Sequence, residues 1–507
     1  MKLKHLSTAV LLASLPLTGA FAAALDRSGQ SMSGFLQPGN YFEAGISILD
    51  PDVSGKEAGS STTRRNIGDM AEDYYFPSAV LKLQVADHFS FGLLYDQPFG
   101  AKAEYSGNNV FVSNPVTDTI LPTDRLTAIR NSTIDSTFNG LSAQDRVGLA
   151  LQSQGVNLST PQGQAQYQQT LNAYNNNVPT VKAQIDGGVK QAITNRVDAG
   201  IAAANSTLGK GNTKVEVDSQ NLAFVFGFQP NQNWNFYAGP VYQTVKGNVS
   251  LRGQAYSLYN GYDANIKETS GVGWLAGVAY QIPDIALKTS LTYRSEIDHD
   301  VNIDENLSLL SFPALTTVLS GLGVSGSQLA AINSNGKTTI TTPQSVNLDF
   351  QTGIMANTVA FANVRWVNWK DFSIQPYKFG KVSEAVGPLI SRPNGFNLVE
   401  YSDDQWSANV GVGRKLNEQW AGNVSVGWDS GAGNPVTTLG PTEGYWNVGL
   451  GVQYSPQPNY FIAGGVKYFW LGDAKAQTGA QAGSSDYVAE FSDNHAIAYG
   501  MKIGYKF

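Results

Sequence analysis

Ile497, Tyr499, Met501, Ile503, Tyr505 and Phe507 alternate with Ala496, Ala498, Gly500, Lys502, Gly504 and Lys506 at the end of the chain. A period of two over that length is a strand with one apolar face and one small or polar face. Soluble half-buried strands run about five or six residues, whereas a tilted strand crossing a bilayer needs about nine to eleven. The length therefore points to a membrane strand.

The pattern recurs upstream. Trp446, Val448, Leu450, Val452 and Tyr454 oppose Tyr445, Asn447, Gly449, Gly451 and Gln453, and Trp420, Val424, Val426 and Trp428 oppose Ala421, Asn423, Ser425 and Asp429. In both segments the terminal aromatics lie eight positions apart, a climb of roughly 20 Å at ordinary strand rise and tilt, close to the roughly 25 Å apolar band between a barrel's aromatic girdles. Further strands are expected over 41–50, 76–85, 89–105, 215–228, 234–249, 263–280, 285–297, 341–353, 359–369, 406–415 and 460–471. The total is about fourteen, an even number, as in closed bacterial barrels. Charged residues make up only 14% of the chain against about 25% in soluble proteins, so part of its surface faces something other than water. No run of eighteen apolar residues follows the N-terminus, which excludes a helical membrane protein.

The first segment is an address. Lys2, Lys4 and His5 precede an apolar run from Leu6 to Leu17 and the small-x-small site Ala20-Phe21-Ala22, the order of a secretory signal peptide over residues 1–22. Losing Lys2 and Lys4 takes the formal charge from −7 to −9, too acidic for a nucleic-acid binder. With no cysteine, the mature chain carries neither disulfides nor a lipidated cysteine. Residues 23–39 are expected to form a short N-terminal plug and 40–507 the outer-membrane barrel, monomeric and surrounded by outer-membrane lipid.

Loop lengths give the orientation. Short turns fall at 86–88, 229–233, 281–284, 417–419 and 455–459, which places them in the periplasm and the long loops outside. The longest loop, about 106–213, is too long to lack structure of its own. Thr160 before Pro161 reads as a helix N-cap with proline at the first position, and Val181, Ile185, Val189, Ile193, Val197 and Ile201 form a helical stripe. A second long loop, about 298–340, carries Phe312, Leu315, Val318, Leu319 and Leu322 at helical spacing, candidates for capturing a hydrophobic substrate. The alternative is that these helices pack on one another.

Chemistry has few places to reside. The mature histidines, His88, His299 and His495, are scattered, and no Ser-His-acid or Glu-x-x-His arrangement occurs, so no enzyme and no metal or other cofactor is expected. Asp50-Pro51-Asp52 with Gly55 reads as a plain turn in preference to a calcium loop. Lys288 and Arg294 alternate with Leu287, Leu291 and Tyr293 and should face the lumen, as should Arg365 and Lys467. Such cations suit a carboxylate in an apolar pocket, or they brace the barrel by pairing with Glu296 and other lumen acids. Pro98 cannot donate to a strand ladder, and with Phe99 and Gly100 it interrupts an otherwise long strand. The interruption is either a door in the wall or a simple bulge.

Several segments resemble the FadL-type long-chain fatty acid transporters. They are Thr342-Pro343-Gln344-Ser345 leading through Asn357 to the run Val364–Phe372, then Tyr293-Arg294-Ser295-Glu296-Ile297, Pro98-Phe99-Gly100 with Tyr105, and the run from Trp406 through Trp428 to Trp446. The resemblance covers nearly all of the mature chain. It implies outer-membrane uptake of fatty acids or other hydrophobic small molecules through a barrel plugged by an N-terminal hatch, with lateral exit at a kinked third strand. The family's Asn-Pro-Ala hatch segment is not recognisable, and only about 25–40 precedes the first strand. A polar porin or a surface adhesin is the alternative function.

Overall fold

The computed structural model describes residues 25–311 and 324–507. The signal segment 1–22 and the capture residues Phe312, Leu315, Val318, Leu319 and Leu322 lie outside the described residues.

Fourteen antiparallel strands close into one barrel. They are β1 (Tyr41–Asp52), β2 (Tyr74–Ala86), β3 (Phe89–Asp96, resuming at Gly100–Glu104), β4 (Lys214–Phe228), β5 (Trp234–Leu251), β6 (Tyr262–Ile282) and β7 (Leu287–Arg294). The second half comprises β8 (Ser345–Met355), β9 (Thr358–Val367), β10 (Gln405–Lys415), β11 (Trp420–Asp429), β12 (Tyr445–Gln457), β13 (Tyr460–Leu471) and β14 (His495–Lys506). Closure comes from β14 pairing with β1, from Tyr41 opposite Lys506 to Asp52 opposite His495. Lipid supplies no hydrogen-bond partner, so a spanning sheet needs such a seam.

The alternation sorts the side chains. Val424, Val426, Leu450, Val466, Tyr499 and Met501 are exposed on the outer wall, while Ser425, Asn447, Gln453 and Lys502 are buried inside. At the long-loop rim Trp366 stands opposite Trp406, and Trp428, Trp446 and Trp470 follow one another across adjacent strands. At the short-turn rim Trp234 meets Tyr280 at 4.7 Å between ring centroids, Trp420 meets Tyr454 at 4.7 Å and Phe89 meets Phe228 at 5.3 Å. Both girdles are therefore present.

Two departures from simple alternation matter. The strand expected over 285–297 leaves β6 after Arg294, the one expected over 341–353 joins the wall beside β7 only from Ser345, and the chain between forms an inward ribbon, Ile297–Val301 paired with Thr338–Thr342. Glycine makes room for it: a Cβ on Gly271 or Gly273 would strike Asp298 or Ile297 of the ribbon. The long loop carries four helices, α1 (Thr123–Gly140), α2 (Ala143–Ser153), α3 (Pro161–Asn175) and α4 (Pro179–Asn205). Thr160 caps α3 and Pro161 opens it, as the sequence indicates. The stripe on α4 serves packing. Ile185 and Val189 join Phe138, Val147, Leu151, Leu171 and Tyr174 in a core separate from the barrel's.

Candidate functional site: a braced plug beside a break in the wall

The plug is held by its foot. Phe35 is fully buried and lies edge-on to Tyr237, with ring centroids 5.7 Å apart. Its ring occupies a slot left by two glycines on neighbouring strands, Gly92 of β3 and Gly227 of β4. A Cβ at Gly92 would overlap the ring, and one at Gly227 would come within 3.0 Å of it. Met32 and Leu36 are buried with it among Val80, Leu94, Val225 and Leu275. Lysines tie down the carbonyls that follow: Lys288 Nζ donates to Leu36 O at 2.7 Å and Lys82 Nζ to Gly39 O at 2.7 Å. Buried backbone carbonyls need such donors.

Further along the lumen, the plug is held by polar groups. Asn347 Nδ2 donates to Gly29 O at 2.7 Å, and Ser28 Oγ donates to Asp96 Oδ2 at 2.6 Å. Arg365 Nε donates to Asp26 Oδ2 at 2.6 Å, both side chains being almost fully buried. The same guanidinium donates to Asn347 Oδ1 at 2.6 Å and to Gln30 Oε1 at 3.1 Å.

The plug tip docks onto the break in β3. Arg27 N donates to Pro98 O at 2.6 Å and Gly100 N donates to Leu25 O at 2.9 Å, so the tip pairs like a short strand where β3 is interrupted. On the β4 side, Asp96 stands opposite Asn221 and Gly100 opposite Asp218, which leaves three residues facing two. Ser219 Oγ fills in, donating to Phe99 O at 2.6 Å and accepting from Phe99 N at 2.8 Å. On the β2 side the ladder breaks off at Ala79 opposite Tyr95 and resumes only at Ala71 opposite Ala103, although β2 stays paired with β1 as far as Tyr74. Residues 74–78 thus have no rung on β3. Tyr74 stands there: its ring stacks on Phe76 at 5.7 Å, a Cβ on Gly100 would lie 3.6 Å from it, and the Arg27 guanidinium lies 5.1 Å over it.

Three cavities follow the axis of the barrel. On the long-loop side an apolar groove of about 690 Å³ is lined by Ile120, Leu121, Tyr256, Leu258, Leu309 and Val386. A middle chamber of about 60 Å³ lies between the plug tip and the wall, lined by Leu25, Arg27, Met70, Tyr74, Ala103 and Tyr401 among others. That is well under the roughly 150 Å³ of a cavity that holds benzene, so any cargo must displace part of its wall. The partition from the groove is thin: Tyr256 lines the groove and hydrogen-bonds Thr438 at 3.0 Å, whose neighbours Thr437 and Leu439 line the chamber. Below lies a chamber of about 170 Å³ with a mixed lining, Ser28, Gln30, Asp96 and Arg294 on one hand and Leu94 and Phe361 on the other.

The four lumen cations separate. Arg365 and Lys288 are bonded to the plug. Arg294 is buried in the lower chamber with Nη1 lacking a partner, and Glu296, the expected brace, is exposed. Lys467 is buried against Gly449 on the far wall. Sequence reasoning missed Asp26, Arg27, Phe35 and Tyr74. The available signal was two glycines, Gly92 and Gly227, at inward positions of neighbouring strands. No cluster of three or more His, Cys, Asp or Glu able to hold a metal occurs among the described residues.

A closed barrel plugged from its N-terminus, with an apolar groove at its long-loop end, is an outer-membrane channel for hydrophobic compounds. The chain belongs to the outer membrane protein transport protein family (OMPP1/FadL/TodX), whose model matches residues 186–507. Its structure is similar to that of a Pseudomonas aeruginosa FadL homologue, at 12% identity and a TM-score of 0.57 over 94% of this chain and 92% of that one. It is also similar to the TodX monoaromatic hydrocarbon channel deltaS2 mutant, at 11% identity and a TM-score of 0.50 over 98% and 99%. No curated protein sequence matches it.

Proposed function

We propose that the protein, as a monomer, takes up long-chain fatty acids or other hydrophobic molecules and releases them sideways into the membrane between β2 and β3. The observation that carries this reading is the contrast between the two ways out. The axial way is closed by Phe35 wedged between Gly92 and Gly227 and by two lysines on the plug carbonyls. The wall, by contrast, lacks rungs at 74–78 beside Pro98, Phe99 and Gly100. Energetics favour the same exit. Each methylene exposed to water costs about 0.8 kcal/mol, and a route through the wall keeps the cargo in hydrocarbon.

Capture falls to the outer groove together with the loop residues Phe312, Leu315, Val318, Leu319 and Leu322. Cargo then presses on the plug tip, which is both a wall of the middle chamber and the strand that holds the break closed. Of the lumen cations, Arg294 and Lys467 are assigned to cargo, and Lys288 and Arg365 to the plug. A polar porin is disfavoured by the buried ion pair and the apolar wedge across the lumen.

Paired cysteines test the exit. With Ser78→Cys and Gln97→Cys flanking the gap in a chain that has no cysteine, uptake should fall on oxidation and recover on reduction while binding persists. Full uptake in the crosslinked form would require an axial path.

A further inference from the structure

The middle chamber is largely apolar; Thr437, Thr442 and Tyr401 add polar atoms to its lining, and one corner carries charge. Leu25, Val53, Met70, Ala103, Val217 and Ile266 contribute hydrocarbon, and Lys102 at its edge is already paired with Glu72 at 2.7 Å. The corner is formed by Arg27 and Tyr74. Tyr74 is 8% exposed, and its hydroxyl has no acceptor for its proton: its polar neighbour, the Arg27 guanidinium, can only donate. A buried hydroxyl left without an acceptor is costly, and an arriving acceptor relieves that cost. The neighbouring guanidinium, 5.1 Å over the same ring, makes the corner positive as well as donating.

From this geometry we infer that Tyr74 is a recognition residue, and that the chamber selects amphiphiles with an apolar body and a terminal oxygen acceptor, carboxylates above all, over plain hydrocarbons. The hydroxyl donates to the acceptor oxygen, Arg27 supplies the opposite charge, and the body lies against the aliphatic wall. An alkane seated there leaves the hydroxyl proton without an acceptor, whereas a carboxylate supplies one and lies beside a positive charge. The assignment concerns residues different from the four lumen cations. Its place in transport follows from position: the same tyrosine stands in the rungless part of the wall beside Gly100, so the group that reads the head also borders the proposed exit.

The inference rests on the reading of the chain as a hydrophobic-compound channel, but its test is binding, which needs no exit route. The purified barrel in detergent is titrated with octanoate, methyl octanoate and n-octane. Tyr74→Phe keeps the ring and removes only the oxygen; it should weaken octanoate and methyl octanoate by about fivefold and leave n-octane unchanged. Arg27→Met should weaken octanoate alone. A Tyr74→Phe loss confined to octanoate would support the site and narrow its class to anions. Equal loss for all three probes, or no loss for any, would overturn the inference. A failed crosslinking experiment would leave this result standing, and an unchanged probe ratio would leave lateral exit standing.

Discussion

Asp26 and Arg365 form an ion pair of 2.6 Å inside the barrel, 339 residues apart in sequence, with neither side chain more than 3% exposed. It ties the tip of the plug to β9, while the backbone of the same tip is paired to the break in β3. The tip therefore bridges two walls of the lumen.

That bridge should be costly to break from one side. Removing one partner of a buried pair leaves an uncompensated charge and typically costs about 3–5 kcal/mol, whereas replacing both with apolar groups is often neutral. Asp26→Leu should therefore speed amide exchange over 25–30 and open the barrel to small solutes, and Asp26→Leu with Arg365→Met should be milder than Asp26→Leu alone. Liposome-swelling rates and exchange mass spectrometry check both. Additive losses would mean that the pair is not coupled.

The wedge at Phe35 should govern the axial leak. Phe35→Ala removes a fully buried ring, a change that costs about 3–5 kcal/mol in a packed site. Gly92→Leu places a side chain where the ring now sits. Both should raise ion conductance in planar bilayers without changing heat-modifiable migration on gels. Wild-type conductance in Gly92→Leu would show that the slot does not seal the lumen.

Capture by the groove should appear only when substrate is dilute. Leu121→Ser and Leu258→Ser each remove apolar surface from the groove, and burying such a side chain contributes about 1.5–3 kcal/mol. Uptake at low concentration should fall severalfold while the rate at saturation holds. A lower rate at saturation with unchanged dependence on concentration would place these residues in loop packing.

Much of the architecture was legible in local pattern. A strand's alternation is set by the pleat, so β11, β12 and β14 could be read from Trp420, Trp446 and Ile497 onward without knowing their partners. The short turns at 86–88 and 417–419 were legible as one rim of the barrel, and Pro98 marked the break because a missing N–H is a property of the residue itself. Strand ends were less legible: β7 stops at Arg294 because Gly271 and Gly273 admit an inward ribbon, a fact about a neighbouring strand. The stripe on α4 was legible as one helix face, but only its neighbours decided that Ile185 and Val189 pack inside the helical insertion.

The sequence by itself determined the barrel, its strand number and the position of the interruption, because each depends on residues within one strand or one turn. Only the tertiary structure decided what the inward groups do. Lys288, Arg294, Arg365 and Lys467 are alike as sequence, four cations at lumen positions. Closure of the barrel brings Arg365 onto Asp26 and Lys288 onto the Leu36 carbonyl, and leaves an Arg294 nitrogen without a partner. Their roles differ because a buried charge takes its function from whatever group lies across the lumen, and the pleat of a strand carries no information about that.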